Sequence, residues 1–170
     1  GGVHRSVAFV VALIVLDAKV AQQDAMLEFL LCTAGTKDYE SLLKTDVKPS
    51  TLHAALLALG LRPGKPAEWS TPPGKEPVFV PPRGAHLDIT LRYKDKEGKV
   101  HEVPATDWLV VAGGKKAAKP SSWVFVGSNL LDDGTYWADA EGHHISVANF
   151  ASSVIDVPFE SSDKDAFRDF

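Results

Sequence analysis

Apolar positions change their period several times along this chain, and each change marks an element. Val7 to Leu16 is an apolar run rich in β-branched residues (Val7, Val10, Val11, Ile14, Val15). Such side chains suit the pleated surface of a sheet, so the run predicts a buried strand or two. A competing reading exists. His4 and Arg5 precede the run and Ala18 to Ala21 follows it, the charged, apolar, small order of a secretion signal. The run is too short to cross a bilayer as a helix. Met26 to Thr33 predicts another strand, Ala34-Gly35-Thr36 a turn, and Tyr39 to Thr45 a short third strand.

The period then becomes helical. Leu52, Ala55, Leu56 and Leu59 fall at i, i+3, i+4 and i+7, giving one apolar face. Pro49 suits a first helical position because its missing N–H needs no partner there. Ser50 or the residue before Pro49 is placed to cap the helix. Gly60 ends it and Pro63 blocks continuation. The prediction is a helix over Ser50 to Leu59.

Arg62 to Gly84 carries prolines at 63, 66, 72, 73, 77, 81 and 82. That density cannot supply a central strand's N–H ladder. It predicts a long ordered loop, with Val78 to Val80 touching a sheet edge and Trp69 as anchor. From Leu87 the period is two: Leu87, Ile89, Leu91 and Tyr93 alternate with Asp88, Thr90 and Arg92, and Lys99 to Val103 returns after a turn. Thr106 to Val111 reads as a helical turn or strand, Gly113 to Ser122 as a basic loop, and Ser122 to Gly127 as a strand. Tyr136 to Asp139 and His144 to Ala148 read as a second hairpin about Glu141-Gly142, and Val154 to Val157 as the last strand. Hairpin connections imply an α+β class, a mainly antiparallel β-sheet domain with one docked amphipathic helix. Residues 1–158 form that domain, and 159–170 read as an acidic surface tail.

Composition narrows this picture without redirecting it. The 170 residues are 45% hydrophobic and 24% charged, enough for a core without staples. The single cysteine, Cys32, excludes an internal disulfide and a cysteine-rich metal knuckle. With a net charge of −4 there is no broad basic stripe, so no nucleic-acid partner is expected. Lys115, Lys116 and Lys119, set among Gly and Ala, read as a solvated loop.

The densest polar motif is Gly35-Thr36-Lys37-Asp38-Tyr39-Glu40-Ser41. One reading makes Glu40 a general base or ligand and Lys37 an anion stabiliser. The other makes Lys37 and a carboxylate a brace within a loop. No Gly-x-Ser-x-Gly elbow, phosphate-cradling loop or dinucleotide fingerprint occurs, so no cofactor is indicated. Of six histidines, none shows the helical i, i+4 or His-x-Glu spacing of a zinc enzyme. His143 and His144 are adjacent, which on a strand sends them to opposite faces. His86 and His101 flank one hairpin, and His53 is the expected buried, hydrogen-bonded histidine. Asp132-Asp133-Gly134 with Asp139 and Glu141 has the composition of a calcium loop without its spacing, and reads as a turn. Trp69, Trp108, Trp123 and Trp137 could line a sugar or peptide platform, though in a β-rich domain most such rings pack the core.

Several segments together resemble one family. Lys37, Tyr39, Glu40 and Ser41, then Ala55 to Gly64, Trp123 to Ser128, and Tyr136 to Gly142 are similar to the pattern of the YdjY-like domain of exported proteins of planctomycetes and related bacteria. The resemblance spans residues 27 to 157. It implies an extracytoplasmic protein (periplasmic, cell-surface or secreted) and no established activity. It points to Lys37, Glu40, Ser41 and His53, clustered at a β–helix junction. With Tyr39, these are the binding candidates. A ferredoxin-like role is excluded because one cysteine cannot hold an iron–sulfur cluster.

Two functions of different class follow as expectations. The first is an exported, non-enzymatic binding or assembly module, its affinity carried by sheet edges, the Pro-rich loop and aromatic rings, with other envelope proteins or a second copy as partners. The second is a small metal-binding protein or enzyme with its site at Lys37, Glu40 and His53. Glu40 and His53 in one cleft would favour chemistry; Glu40 paired with Lys37 under the Pro-rich loop would favour an architectural role.

Overall fold

The computed structural model describes residues 13–23, 26–111, 122–162 and 167–168. The chain runs β1 (Lys19–Val20), β2 (Phe29–Thr33), a 3-10 turn (Asp38–Glu40), β3 (Ser41–Thr45) and α1 (Pro49–Ala58). Next come β4 (Glu68–Ser70), β5 (Val78–Val80), β6 (Ala85–Leu87), β7 (Thr90–Lys94) and β8 (Val100–Pro104). A second 3-10 turn (Ala105–Trp108), β9 (Val110–Val111), β10 (Trp123–Phe125) and α2 (Trp137–Glu141) follow, then β11 (His143–Ser146), β12 (Ile155–Asp156) and β13 (Phe167–Arg168).

Seven strands form one sheet in the order β1-β3-β2-β11-β12-β10-β6. Four of its pairings are antiparallel, while β2–β3 and β11–β12 are parallel. The hairpins β4–β5 and β7–β8 and the pair β13–β9 stand apart as two-stranded antiparallel units. The class is therefore α+β, as the pattern of apolar positions predicts, with a mixed main sheet.

The core lies on the central strands. Every residue of β10 and β11 is buried: β10 (Trp-Val-Phe) is a continuous apolar run, whereas β11 (His-His-Ile-Ser) carries polar side chains into the interior. Trp123, Phe29, Phe125, Leu27, Leu30 and Leu42 are the largest fully enclosed side chains, each contributing about 1.5–3 kcal/mol through burial. Helix α1 adds Leu52 and Leu56 to the same cluster and contacts β11 and α2.

The helix forms as its period predicts, with Pro49 in the first turn and Gly60 at φ +83° behind it. Its cap comes from elsewhere. No side chain at the N-terminus caps it. Asp139 of α2, 89 positions away in sequence, accepts the Ser50 N–H at 2.7 Å and the Ser50 hydroxyl at 2.6 Å. A carboxylate there satisfies an orphan donor and complements the helix dipole. Leu59, expected on the buried face, is 39% exposed, because the helix has already ended at Ala58.

Other expectations are corrected. Residues 1–12, most of the first apolar run, and the basic Lys115–Lys119 loop lie outside the described residues. Leu13 to Leu16, inside them, form no strand: Leu13 and Val15 are exposed while Ile14 and Leu16 pack on the core cluster. The Pro-rich segment is not a plain loop, since β4 and β5 make a hairpin within it. Trp69 is 62% exposed and anchors no core. Tyr136 to Asp139 is not a strand. Trp137–Glu141 is a short helix closed by Gly142 at φ +78°, a position where any Cβ would collide with the Thr36 side chain. Finally, Ser161 is buried with its hydroxyl donating to the Val147 carbonyl, and Phe167–Arg168 pairs with Val110–Val111, so the segment expected as a tail contributes to the fold.

Candidate binding site

The polar turn at residues 34–40 solves a problem of chain path. Strands β2 and β3 are adjacent and parallel, with Phe29 opposite Ser41 and Thr33 opposite Thr45. A parallel pair ordinarily needs a crossover of about a dozen residues or more. Here residues 34–40 retrace the strand alone, and local bonds hold them. The Asp38 carboxylate accepts the Gly35 N–H at 2.8 Å and pairs with Lys44 at 2.7 Å. Lys44 therefore holds the Asp38 carboxyl below its ordinary range. The Thr36 hydroxyl donates to the Thr33 carbonyl and the Ser41 hydroxyl to the Lys37 carbonyl.

The remaining candidates of this motif are spent the same way. Lys37 sits 3.3 Å from the Tyr39 hydroxyl and 3.2 Å from the Glu40 carboxylate. The Tyr39 contact, then the Glu40 pairing, raises the Lys37 ammonium above its usual value. A lysine held more firmly protonated is the opposite of a catalytic base. Tyr39 itself projects outward at 63% exposure. Burial pushes the Cys32 thiol up, so it stays neutral beside this turn.

His53 belongs to a different constellation. Its Nδ1 lies 2.7 Å from the Tyr136 hydroxyl, which donates to the Gly127 carbonyl at 2.9 Å. The ring meets Phe125 edge-on at 5.1 Å. Gly127, at φ +87°, leaves no room for a Cβ against the Pro63 and His53 side chains. This group ties α1 to the end of β10 and to the chain entering α2. Burial lowers the His53 pKa and, with the Asp139 charge nearby, raises the Tyr136 phenol far above its usual range. Among the described residues no hydrogen bond, ion pair or ring contact joins His53 to the Lys37–Ser41 turn. The sequence candidates are thus two separate structural ties.

His53, expected as the buried histidine, is only half-buried; the buried ones are His143 and His144, on β11. His143 Nδ1 meets the Ser152 hydroxyl at 2.6 Å and its ring packs on Phe29 and Phe150. Burial, helped by the Lys37 and His144 charges, lowers its pKa to about 4. His144 lies near the Val47 and Gly142 carbonyls without a hydrogen bond at either ring nitrogen. Among the described residues no three His, Cys, Asp or Glu side chains converge as a metal site.

Exposed binding features gather elsewhere, under the Pro-rich hairpin. Pro72, Pro73 and Pro77 all fall in the connection between β4 and β5, so the short ladder keeps its N–H groups. Trp69 and Phe79 sit directly opposite each other across it, edge to face at 5.6 Å. Such cross-strand aromatic pairs support a hairpin that is marginal alone. Between this pair and residues 148–162 lies a cleft of about 400 Å3. Phe150 forms part of the opposite wall, stacked from behind on Phe29 at 4.9 Å, and Asn149, Glu160 and Ser161 complete it.

That wall is fixed by a buried polar network. The Asn149 amide donates to the Asp156 carboxylate at 3.2 Å and to the Phe159 carbonyl at 3.0 Å, and its oxygen accepts the Ser161 N–H at 2.7 Å. Asp156, fully buried, also accepts from the Ser146 hydroxyl and the Val157 N–H. Burial outweighs these bonds and raises its pKa to about 7. Side chains locked this way form a pre-organised surface. Sequence reading missed Phe79, Phe150, Asn149 and Glu160. Two proline-free triplets around a Pro-Pro-Gly turn could have shown the hairpin, but Phe150 lies in irregular chain and carried no periodic signal.

Comparison with known proteins adds the family. No curated protein and no solved structure matches this chain. No helix among the described residues is long and apolar enough to cross a membrane. The family model of the YdjY domain matches residues 10–161, which takes in the braced turn, the helix, the hairpin and the cleft wall, and the chain belongs to the YdjY domain family.

Proposed function

We propose that the chain is an exported, non-enzymatic binding module whose ligand enters the cleft between the β4–β5 hairpin and residues 148–162. One observation carries the reading: an aromatic-walled cleft of about 400 Å3, backed by a locked polar network, in a size range typical of ligand sites. The alternative of a metal site or enzyme at Lys37, Glu40 and His53 gains no support, because Glu40 is paired with Lys37 and His53 is tied to Tyr136. Export rests on the resemblance to signal-bearing YdjY-like proteins. Envelope components, including other proteins of that compartment, are the expected source of ligand.

The test compares the wild type with Trp69→Ala/Phe150→Ala, each incubated with envelope extract and analysed by native mass spectrometry. A bound mass on the wild type that is missing from the double variant supports the reading. Retention by both proteins moves the site elsewhere, and an unladen wild type overturns the proposal. Lys37→Ala and Glu40→Gln should lower the melting temperature and leave retention unchanged.

A further inference from the structure

We infer that the group recognised in the cleft is a quaternary ammonium carried on a small organic ligand, a deepening that rests on the cleft being the binding site.

Charge is the first argument. Among the described residues, those lining the cleft include Glu28 and Glu160 and no Lys, Arg or His. Glu28 already has interactions of its own, whereas Glu160 makes no ion pair among the described residues. An anionic ligand would face carboxylate charge with no donor cation among the described residues to offset it, while a cation finds that charge ready-made.

The aromatic surfaces give the second. Trp69 and Phe79 on the hairpin and Phe150 on the facing segment bring three rings to one space. Ring faces carry negative quadrupole charge and attract cations, Trp most strongly, and an aromatic enclosure with a carboxylate nearby suits a diffuse, weakly hydrated positive charge.

Hydrogen-bonding capacity decides between cations and neutral polar ligands. Both Asn149 amide protons point inward, to Asp156 and the Phe159 carbonyl. The Ser161 hydroxyl proton goes to the Val147 carbonyl and its N–H to Asn149. Asn149 and Ser161 therefore turn their donors away from the cleft, which leaves a sugar or a carboxylate fewer directed partners on this wall. A primary ammonium is strongly hydrated and must give up that water to meet ring faces, whereas a methylated ammonium is weakly hydrated and meets them directly.

The experiment is a calorimetric and tryptophan-fluorescence titration of the full chain with choline and, in parallel, with its uncharged carbon isostere, in which a tert-butyl group replaces trimethylammonium. Choline should bind, and the isostere should bind at least about tenfold more weakly. Trp69→Ala and Glu160→Gln should each weaken choline binding severalfold while the thermal transition stays in place. Equal binding of both compounds, lost in Trp69→Ala, would sink the ammonium inference and leave the binding reading intact. Choline binding that survives both substitutions, or no binding of either compound, would also overturn it. In those cases the extract experiment above decides separately whether the cleft binds anything.

Discussion

In the turn between β2 and β3, four charged side chains lie within residues 37–44, and all four are satisfied by one another: Lys37 with Glu40, and Asp38 with Lys44. In the cleft under the β4–β5 hairpin, Asn149 and Ser161 are satisfied from behind, while aromatic rings and carboxylates line the space. The first region is rich in catalytic residue types and spends them on holding a short parallel connection. The second is poor in such types and keeps its recognition surface open. Residue chemistry alone does not mark a site; what matters is whether a group's bonding capacity is consumed within the fold.

Substitutions should separate the two regions by size and kind of effect. The largest loss is expected in the packing that supports the braced half. Leu56→Ala should cost about 2–5 kcal/mol in urea unfolding, whereas Leu59→Ala, three residues on and exposed, should cost less than about 1 kcal/mol. Equal costs would mean that α1 packs through a different face.

Acidification tests the network behind the cleft. His143 has a folded pKa of about 4 against an ordinary 6.5, so its contribution is present above 6.5 and is lost as pH falls from 6.5 toward 4. His144 is shifted in the same direction. Asp156 runs the other way: raised from 3.8 to about 7, it favours the fold at low pH, and that contribution is lost as pH rises from 3.8 through 7. The two signs oppose each other between 4 and 6.5. Asp156→Asn removes one side, so the variant should lose stability on acidification more steeply than wild type, by on the order of 1 kcal/mol per pH unit. Parallel pH profiles for the two proteins would show that Asp156 is ionised in the fold throughout.

Two smaller losses probe the ties of the braced half. Asp139→Ala removes the long-range cap of α1 and should cost about 0.5–2 kcal/mol. Asp38→Ala frees Lys44 and the Gly35 N–H and should cost about 0.5–1.5 kcal/mol, with ligand retention unchanged. The smallest change in stability is expected at the cleft rim. Trp69→Ala should shift stability by no more than about 0.5 kcal/mol and yet weaken retention severalfold. If Asp38→Ala weakened retention and Trp69→Ala did not, the roles of the two regions would be exchanged.

The strongest periodic signals were legible before any coordinates. The i, i+3, i+4, i+7 spacing placed α1 to within a residue at each end, and the alternation about Leu91 placed the β7–β8 hairpin, although the strand read from Leu87 is split, with Leu87 ending β6 in the main sheet. Glu141-Gly142 shows where local pattern is ambiguous. A glycine at positive φ closes a hairpin or ends a helix equally well, so the segment read as a turn between strands is the end of α2. The Lys37–Ser41 motif was visible as a polar cluster, but whether its charges faced a ligand or one another depends on distances that spacing does not fix.

By itself the sequence determined the α+β class, the main helix and its ends, and most strand positions, because each follows from short-range periodicity and the backbone preferences of Pro and Gly. Tertiary structure alone decided the parallel pairing of β2 with β3, the capping of α1 by Asp139, the separation of His53 from Glu40, and the meeting of Trp69 and Phe79 with Phe150. These join residues far apart in the chain or depend on the direction in which a strand returns, and no local preference of the backbone encodes either.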